Sequence, residues 1–175
     1  MEEHILQSFS KPSHRYTVSG GYHISHQQIN FFFDLKGDLS QFSFERKNAP
    51  PTRRDQLWQD NCFEVFSLNS NTGEYLEFNL SPIGDWNVYH FTGQRMGMQT
   101  YTEIENLEIR SNEDSGHFHL EFDIPLEILL KGSDKLGLTA VIREKNSPKL
   151  EYWAKSHPSK KADFHDPKHY FDLAL

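Results

Sequence analysis

The sequence has little of several residue types that would point to other kinds of protein. Cysteine occurs once in 175 residues, at Cys62, which excludes an internal disulfide framework and a thiolate metal cluster. Alanine occurs only five times and valine four times, against 14 Phe, 7 Tyr and 3 Trp. Because aromatic residues suit pleated surfaces better than helices, this composition disfavours a helical bundle.

The sequence also lacks an excess of positive charge, and it lacks long apolar runs. The formal net charge is −7 with both signs interspersed, so no basic stripe favours nucleic acid. No run approaches the ~18–20 apolar residues of a membrane span, and residues 1–4 are acidic, unlike a signal peptide. We therefore expect a cytoplasmic protein, folded as one domain over residues 1–175, with no nucleic-acid or membrane partner. The oligomeric state is not predicted.

Period-two alternation of apolar and polar residues recurs along the chain and is typical of strands. It is clearest at 117–124, where Phe118 to Ile124 alternate with histidines and carboxylates. Further strands are predicted at 29–35, around Phe42 and Phe44, and at 62–68, 74–80, 86–91 and 136–142. Residues 125–131 predict one short helix, with a proline at its first position and Gly132 after its end. The predicted fold is an all-β antiparallel sandwich with this one short helix.

Two segments, 45–59 and 154–170, lack this alternation and are rich in charged residues and proline. Long irregular loops tend to be functional, so a site is expected there. The sequence places Trp58, Trp86 and Trp153 at loops or strand ends, and indole faces stack on the apolar faces of sugar rings.

Polar partners for a hydroxyl-rich ligand are also present. Tyr75, Glu77 and Asn79 share one face of the strand predicted at 74–80, opposite its leucines and Phe78. Arg95 and the Arg53-Arg54 pair add guanidinium groups near the tryptophans in sequence. The alternative is an ordinary solvated sheet face with tryptophans packed under loops.

Metal and haem sites have weaker support. His117 and His119 share a strand face, but the sequence designates no third or fourth ligand, so no metal site is predicted. Haem ligation would need a Met and a His, such as Met96 or Met98 with His157 or His165. We expect no cofactor, and haem and a structural calcium ion stay open as alternatives. No nucleophile elbow, phosphate loop or metalloprotease helix occurs, so catalysis is not expected.

Three segments resemble the DOMON-like domains related to family 9 carbohydrate-binding modules. They are LWQDNCFEVF with EYLEFNLSP (57–66 and 74–82), HLEFDIP with AVIRE (119–125 and 140–144), and YWAKSHP with ADFHDP (152–158 and 162–167). The resemblance implies an immunoglobulin-like sandwich that holds a sugar between tryptophans. It implies Trp153 as the first candidate ligand residue, with Trp58, Trp86, Glu77, Asn79 and Arg143 as further candidates.

The sequence thus predicts non-catalytic binding of a sugar or glycoconjugate in a slot at one end of the sandwich. Two alternatives remain open. One is a haem-binding redox domain, since other DOMON relatives bind haem. The other is a scaffold or protein-interaction module without a small ligand.

Overall fold

The computed structural model describes residues 1–10, 15–40, 42, 50–129, 131–145 and 148–173. The strands in these ranges are β1 (Glu2–Ile5), β2 (Gln7–Ser8), β3 (Tyr16–Ser25), β4 (Gln28–Gly37), β5 (Cys62–Leu68), β6 (Tyr75–Leu80), β7 (Trp86–Phe91), β8 (Gln99–Thr100), β9 (Ile109–Asp114), β10 (His117–Pro125), β11 (Lys135–Arg143), β12 (Leu150–Ala154) and β13 (Phe171–Asp172). Short 3₁₀ turns lie at Leu57–Gln59, Leu126–Ile128 and Pro167–His169. None of the helical segments among these residues is long and apolar enough to cross a membrane.

The strands form two antiparallel sheets that pack face to face. The first sheet has the order β1-β3-β4-β10-β9. The second sheet has the order β2-β12-β11-β5-β6-β7-β8, with β13 paired to β11. The predicted all-β antiparallel sandwich is therefore confirmed.

Phenylalanine fills much of the space between the sheets. Phe33 of the first sheet packs on Phe63 of the second with ring centroids 5.1 Å apart, and Phe118 stacks on Phe63 at 5.8 Å. Phe31 and Phe122, from neighbouring strands of the first sheet, stack at 5.3 Å. Aromatic rings thus supply the apolar area that a chain poor in valine and alanine needs for its core.

Most of the predicted strands are confirmed. β5 and β7 span the predicted residues, and β4, β6, β10 and β11 differ from them by one or two residues at one or both ends. The predicted short helix is the 3₁₀ turn Leu126–Ile128. Phe44 and residues 45–49 lie outside the described residues. The strands that were not predicted are β1, β2, β3, β8, β9, β12 and β13. In β3, Gly20-Gly21 interrupts the apolar alternation.

Two of the three tryptophans expected at the ligand slot lie in the core instead. Trp153 is 4% exposed and Trp86 is 3% exposed, and both belong to the core between the sheets. The cause is strand pairing, since Trp153 lies opposite Ala140 and Trp86 opposite Leu80, whose side chains point inward.

The outer face of the second sheet is also buried, and this positions the candidate site. Every residue of β5 and β6 is buried although their side chains alternate between two faces. A second apolar cluster covers the outer face, formed by Cys62, Phe66, Leu68, Tyr75, Tyr89, Phe91, Val141, Ala154, Phe164 and Tyr170. Phe164 and Tyr170 come from the irregular segment after β12, so this segment packs on the sheet as a cover.

Candidate functional site

An open cleft of about 340 Å³ lies between the outer face of the second sheet and its cover. Its lining combines aromatic rings, two carboxylates, a guanidinium group and an imidazole. The residues are Trp58, Glu64, Glu77, Phe91, Arg95, Met98, Val141, Tyr152, Ala162, Phe164 and His165. We refer to this feature as the cleft.

Strand register brings the two carboxylates together. In the β5–β6 pair, Glu64 lies opposite Asn79 and Phe66 lies opposite Glu77. The two glutamates are therefore diagonal neighbours on one face, a separation that long side chains can span. Both are nearly inaccessible, with 3% of Glu64 and 4% of Glu77 exposed.

Neutral donors from the sheet hold one oxygen of each carboxylate. The Thr139 hydroxyl donates to Glu64 Oε2 at 3.0 Å, and Asn79 Nδ2 donates to Glu77 Oε1 at 2.8 Å. The Cys62 thiol in turn donates to Asn79 Oδ1 at 3.4 Å. Asn79 therefore positions Glu77 from within the sheet.

The pair titrates far from the ordinary range of carboxylic acids. Burial raises the pKa of Glu64 well above its usual value, and the charge of Glu77 raises it further. Burial also raises the pKa of Glu77 to about 7, although the Asn79 hydrogen bond and the Arg95 charge act in the opposite direction. Both carboxyl groups therefore favour the protonated form more than an exposed glutamate does, and ionisation of one opposes ionisation of the other.

His165 enters the cleft from the cover. Its Nδ1 lies 2.7 Å from the Tyr75 hydroxyl, whose oxygen accepts the backbone N–H of Arg95 at 3.2 Å. This network favours a Tyr75 proton pointing at Nδ1, which puts the imidazole proton on Nε2. Burial and the positive charge of Arg95 lower the pKa of His165 to about 4, so the ring is neutral at pH 7.

One buried oxygen in the cleft has no hydrogen-bond partner within the described part of the chain. Glu77 Oε2 is inaccessible and unpartnered, and the nearest cationic or imidazole nitrogen, His165 Nε2, is 3.8 Å away. That distance is too long for a direct hydrogen bond. Because buried polar atoms are nearly always paired, this oxygen is an unsatisfied acceptor at the wall of the cleft.

Aromatic rings form much of the remaining lining. Trp58 lies on the 3₁₀ turn Leu57–Gln59 and contacts Tyr89 edge-on at 5.8 Å. Tyr152 contacts Phe164 edge-on, also at 5.8 Å. Phe91 stacks on Tyr75 at 4.6 Å, which fixes both rings beside His165.

The structure brings together three of the seven residues predicted for the ligand site. Trp58, Glu77 and Arg95 line the cleft, and Asn79 lies beneath Glu77. Arg143 is absent from the lining; it donates to the Gln59 carbonyl at 2.5 Å and pairs with Asp60. It thereby anchors the turn that carries Trp58. Trp86 and Trp153 face the core, and the Arg53 guanidinium stacks on Trp86 at 4.2 Å.

Several residues of the cleft lining were not predicted as ligand residues from the sequence. Glu64 carries a signal that was available, since alternation with Phe63 and Val65 places it on the outer face of its strand. Tyr152 had no such signal because β12 was not predicted. His165 and Met98, named only as haem ligands, both line the cleft, whereas Met96 and His157 are not in its lining.

A second depression, of about 570 Å³, adjoins the cleft at His165. Its basic residues include Lys135 and Lys155, which already bond within the chain: Lys135 pairs with Asp172 at 2.6 Å, and Lys155 donates to the Tyr170 carbonyl. The unsatisfied carboxylate oxygen lies in the first cleft, which is therefore the stronger candidate site.

Comparison with known proteins supports the fold. No model of a known protein family matches the chain, and no curated protein has a significantly similar sequence. Among solved structures, a "putative carbohydrate-binding protein" from Bacteroides uniformis ATCC 8492 is similar in fold, with a TM-score of 0.68 and 14% sequence identity. The match covers 98% of this chain and 85% of that protein. The chain thus shares its whole sandwich architecture with that protein.

Proposed function

We propose that the cleft binds a carbohydrate without catalysing its conversion. The observation that carries this proposal is the unpartnered Glu77 Oε2, 3.8 Å from His165 Nε2, in an open cleft with aromatic walls. A ligand hydroxyl between these two atoms accepts from the imidazole and donates to the carboxylate. A single hydroxyl can do both because it is a donor and an acceptor.

Sugar rings match the other groups of the cleft. Their C–H faces stack on aromatic rings such as Trp58 and Tyr152, and their further hydroxyls suit Arg95 and Glu64. Arg95 keeps donor capacity for a ligand, because one of its guanidinium nitrogens pairs with Asp163 at 2.7 Å and the side chain is more than half exposed.

The resemblance to family 9 carbohydrate-binding modules and the name of the Bacteroides protein agree with this proposal. We extend it to a family 9-like module, with one difference in the site. Trp153 is buried in the core, so we assign the stacking of the sugar ring to Trp58 instead.

Tryptophan fluorescence tests the proposal. The protein is titrated with glucose, galactose, mannose, xylose, N-acetylglucosamine, cellobiose and lactose. At least one sugar should quench or shift the emission saturably. At pH 8, where Glu77 is mostly ionised, Glu77→Gln should lower the affinity for that sugar about 10- to 100-fold, because it replaces a hydrogen bond to a charged acceptor.

Two results would contradict the proposal. One is no saturable response to any sugar of the panel from a folded protein. The other is a sugar response that Glu77→Gln leaves unchanged. A Soret band on addition of hemin, without any sugar response, would favour the haem alternative instead.

A further inference from the structure

A cluster of two histidines and an aspartate lies on the outer face of the first sheet, on the other side of the sandwich from the cleft. It consists of Asp34 on β4 and of His117 and His119 on β10. His119 lies opposite Asp34 in the strand register, and His117 is two residues away on the same face. The sheet thus supplies the third residue that the His-x-His pair lacked in the sequence.

The three side chains are already gathered around one point. One ligand atom from each lies within 4.8 Å of the others. The Asp34 Oδ1 atom accepts from His119 Nδ1 at 3.0 Å and also contacts His117 Nε2. In a tetrahedral zinc site, ligand atoms about 2.0–2.2 Å from the ion lie about 3.4 Å from one another. The contacts of Asp34 Oδ1 with the two imidazoles are shorter than this, so an ion would bind by separating them.

The aspartate of the cluster is buried, whereas its two histidines are partly exposed to solvent. The Asp34 side chain is only 10% exposed and is fixed by the sheet, whereas the side chains of His117 and His119 are 36% and 33% exposed. An ion can therefore arrive from solvent, and positions away from the sheet stay open to water or another ligand.

A second layer of residues supports the cluster. Glu121 Oε2 lies 3.9 Å from His119 Nε2, the ring nitrogen that does not contact Asp34. This separation is too long for a direct hydrogen bond, so Glu121 contributes its negative charge beside the ring rather than a fixed contact. Glu121 is itself held by Arg110 at 3.0 Å and by Asn30 at 3.2 Å.

The two residues that lie opposite His117 on the neighbouring strands carry opposite charges. Lys36 lies opposite it on β4 and Asp114 opposite it on β9. The negative charge of Asp34 is therefore not outweighed by a cationic cluster, and a divalent ion is electrostatically acceptable there.

We propose that Asp34, His117 and His119 bind one divalent transition-metal ion of the zinc class. Two imidazoles and one carboxylate suit Zn²⁺, Co²⁺ and similar ions rather than Ca²⁺ or Mg²⁺, which prefer oxygen ligands. With three protein ligands, the ion keeps at least one open position. The site is separate from the cleft and does not depend on sugar binding.

Calorimetric titration of EDTA-treated protein with ZnCl₂ tests this site, with Co²⁺ absorption as a spectroscopic check. The full chain should bind one Zn²⁺ tightly. His119→Ala, His117→Ala and Asp34→Asn should each lower the affinity for Zn²⁺ at least about 100-fold, and Glu121→Gln should lower it by about tenfold or less. His23→Ala is the matched control, since His23 is exposed on β3 of the same sheet outside the cluster. It should leave the affinity unchanged.

Circular dichroism in EDTA checks that each variant is folded. If Asp34→Asn does not fold, His117→Ala and His119→Ala still test the site, because both imidazoles are partly exposed. The proposal is overturned if the wild-type chain binds Zn²⁺ no more tightly than His119→Ala. It is also overturned if His23→Ala lowers the affinity as much as the cluster variants do. In either case Asp34 serves only to hold two imidazoles by hydrogen bonds.

Discussion

Glu77 Oε2 and His165 Nε2 face each other across 3.8 Å in the cleft, one on a strand of the second sheet and the other on its cover. Each has a fixed second contact, Glu77 with Asn79 and His165 with Tyr75. Because burial raises the pKa of Glu77 to about 7 and lowers that of His165 to about 4, the two do not form an ion pair at neutral pH. The gap is thus suited to a neutral hydroxyl.

Trp58 is the tryptophan from which we expect the ligand response. Trp58→Ala should lower affinity for the bound sugar about tenfold or more, since a stacking face is lost. Trp58 lies on a short surface turn outside the main core, so the variant should remain folded. Because this variant lacks the indole that is expected to respond, calorimetry measures its affinity.

Phe9→Ala is the matched aromatic control for Trp58→Ala. Phe9 is 39% exposed and contacts His157 away from the cleft lining. Its removal should leave sugar affinity unchanged. Equal losses in the two variants would argue against a role for Trp58 in the site.

The raised pKa of Glu77 makes it a source of pH-dependent instability. The native state binds its proton more tightly than the unfolded chain, whose glutamates titrate near 4.5. The contribution of Glu77 to the free energy of unfolding therefore falls as the pH rises from about 4.5 to 7. Glu77→Gln should gain stability relative to wild type over this range, as measured by urea unfolding. A stability difference that is the same at pH 5 and pH 8 would show that Glu77 is not perturbed.

His165 is expected to act in the opposite direction. Its pKa falls from 6.5 in the unfolded chain to about 4 in the native state, so protons favour unfolding between these values. Its contribution to stability is complete above pH 6.5 and is lost as the pH falls toward 4. As the pH falls from 6.5 to 4, the free energy of unfolding of His165→Gln should therefore decrease less than that of the wild type. An NMR titration of the His165 ring protons measures the pKa directly, and a value near 6.5 would contradict the prediction.

Cys62 should be unreactive in the native protein. Its side chain is fully buried on the outer face of β5, and burial and the Glu64 charge raise its pKa well above the ordinary value. Since the thiolate is the reactive form, a thiol reagent such as DTNB should modify it only as fast as the chain unfolds. The rate should rise with urea in parallel with unfolding. Rapid labelling without urea would contradict the burial of this strand.

Alternation in the sequence was sufficient to predict the sheets where one face is apolar throughout. β10 shows this best, because Phe118, Leu120, Phe122 and Ile124 form its inner face. Alternation fails for β3, where Gly20 carries no side chain toward the core. In its place the ring of Phe33 occupies the space, at 2.9 Å from where a Cβ on Gly20 would lie.

The sites were harder to predict because they depend on pairing between strands. Asp34 and His119 are 85 residues apart in sequence and meet only through the β4–β10 register. Glu64 meets Glu77 in the same way, through the β5–β6 register. Trp153 shows the same dependence, since its position next to a loop does not reveal that pairing with Ala140 turns the indole toward the core.

Occupation of the cleft by a sugar is tested most directly by chemical-shift mapping in NMR spectra. In ¹⁵N–¹H spectra the indole N–H of Trp58 is distinguished from those of Trp86 and Trp153 by substitution of each residue with Phe. Addition of the responding sugar should shift the Trp58 indole and the backbone amides of Glu77, Arg95 and His165. The Trp153 indole and the amides of β10 should not move. No shifts from any sugar of the panel, or shifts confined to the first sheet, would contradict the account.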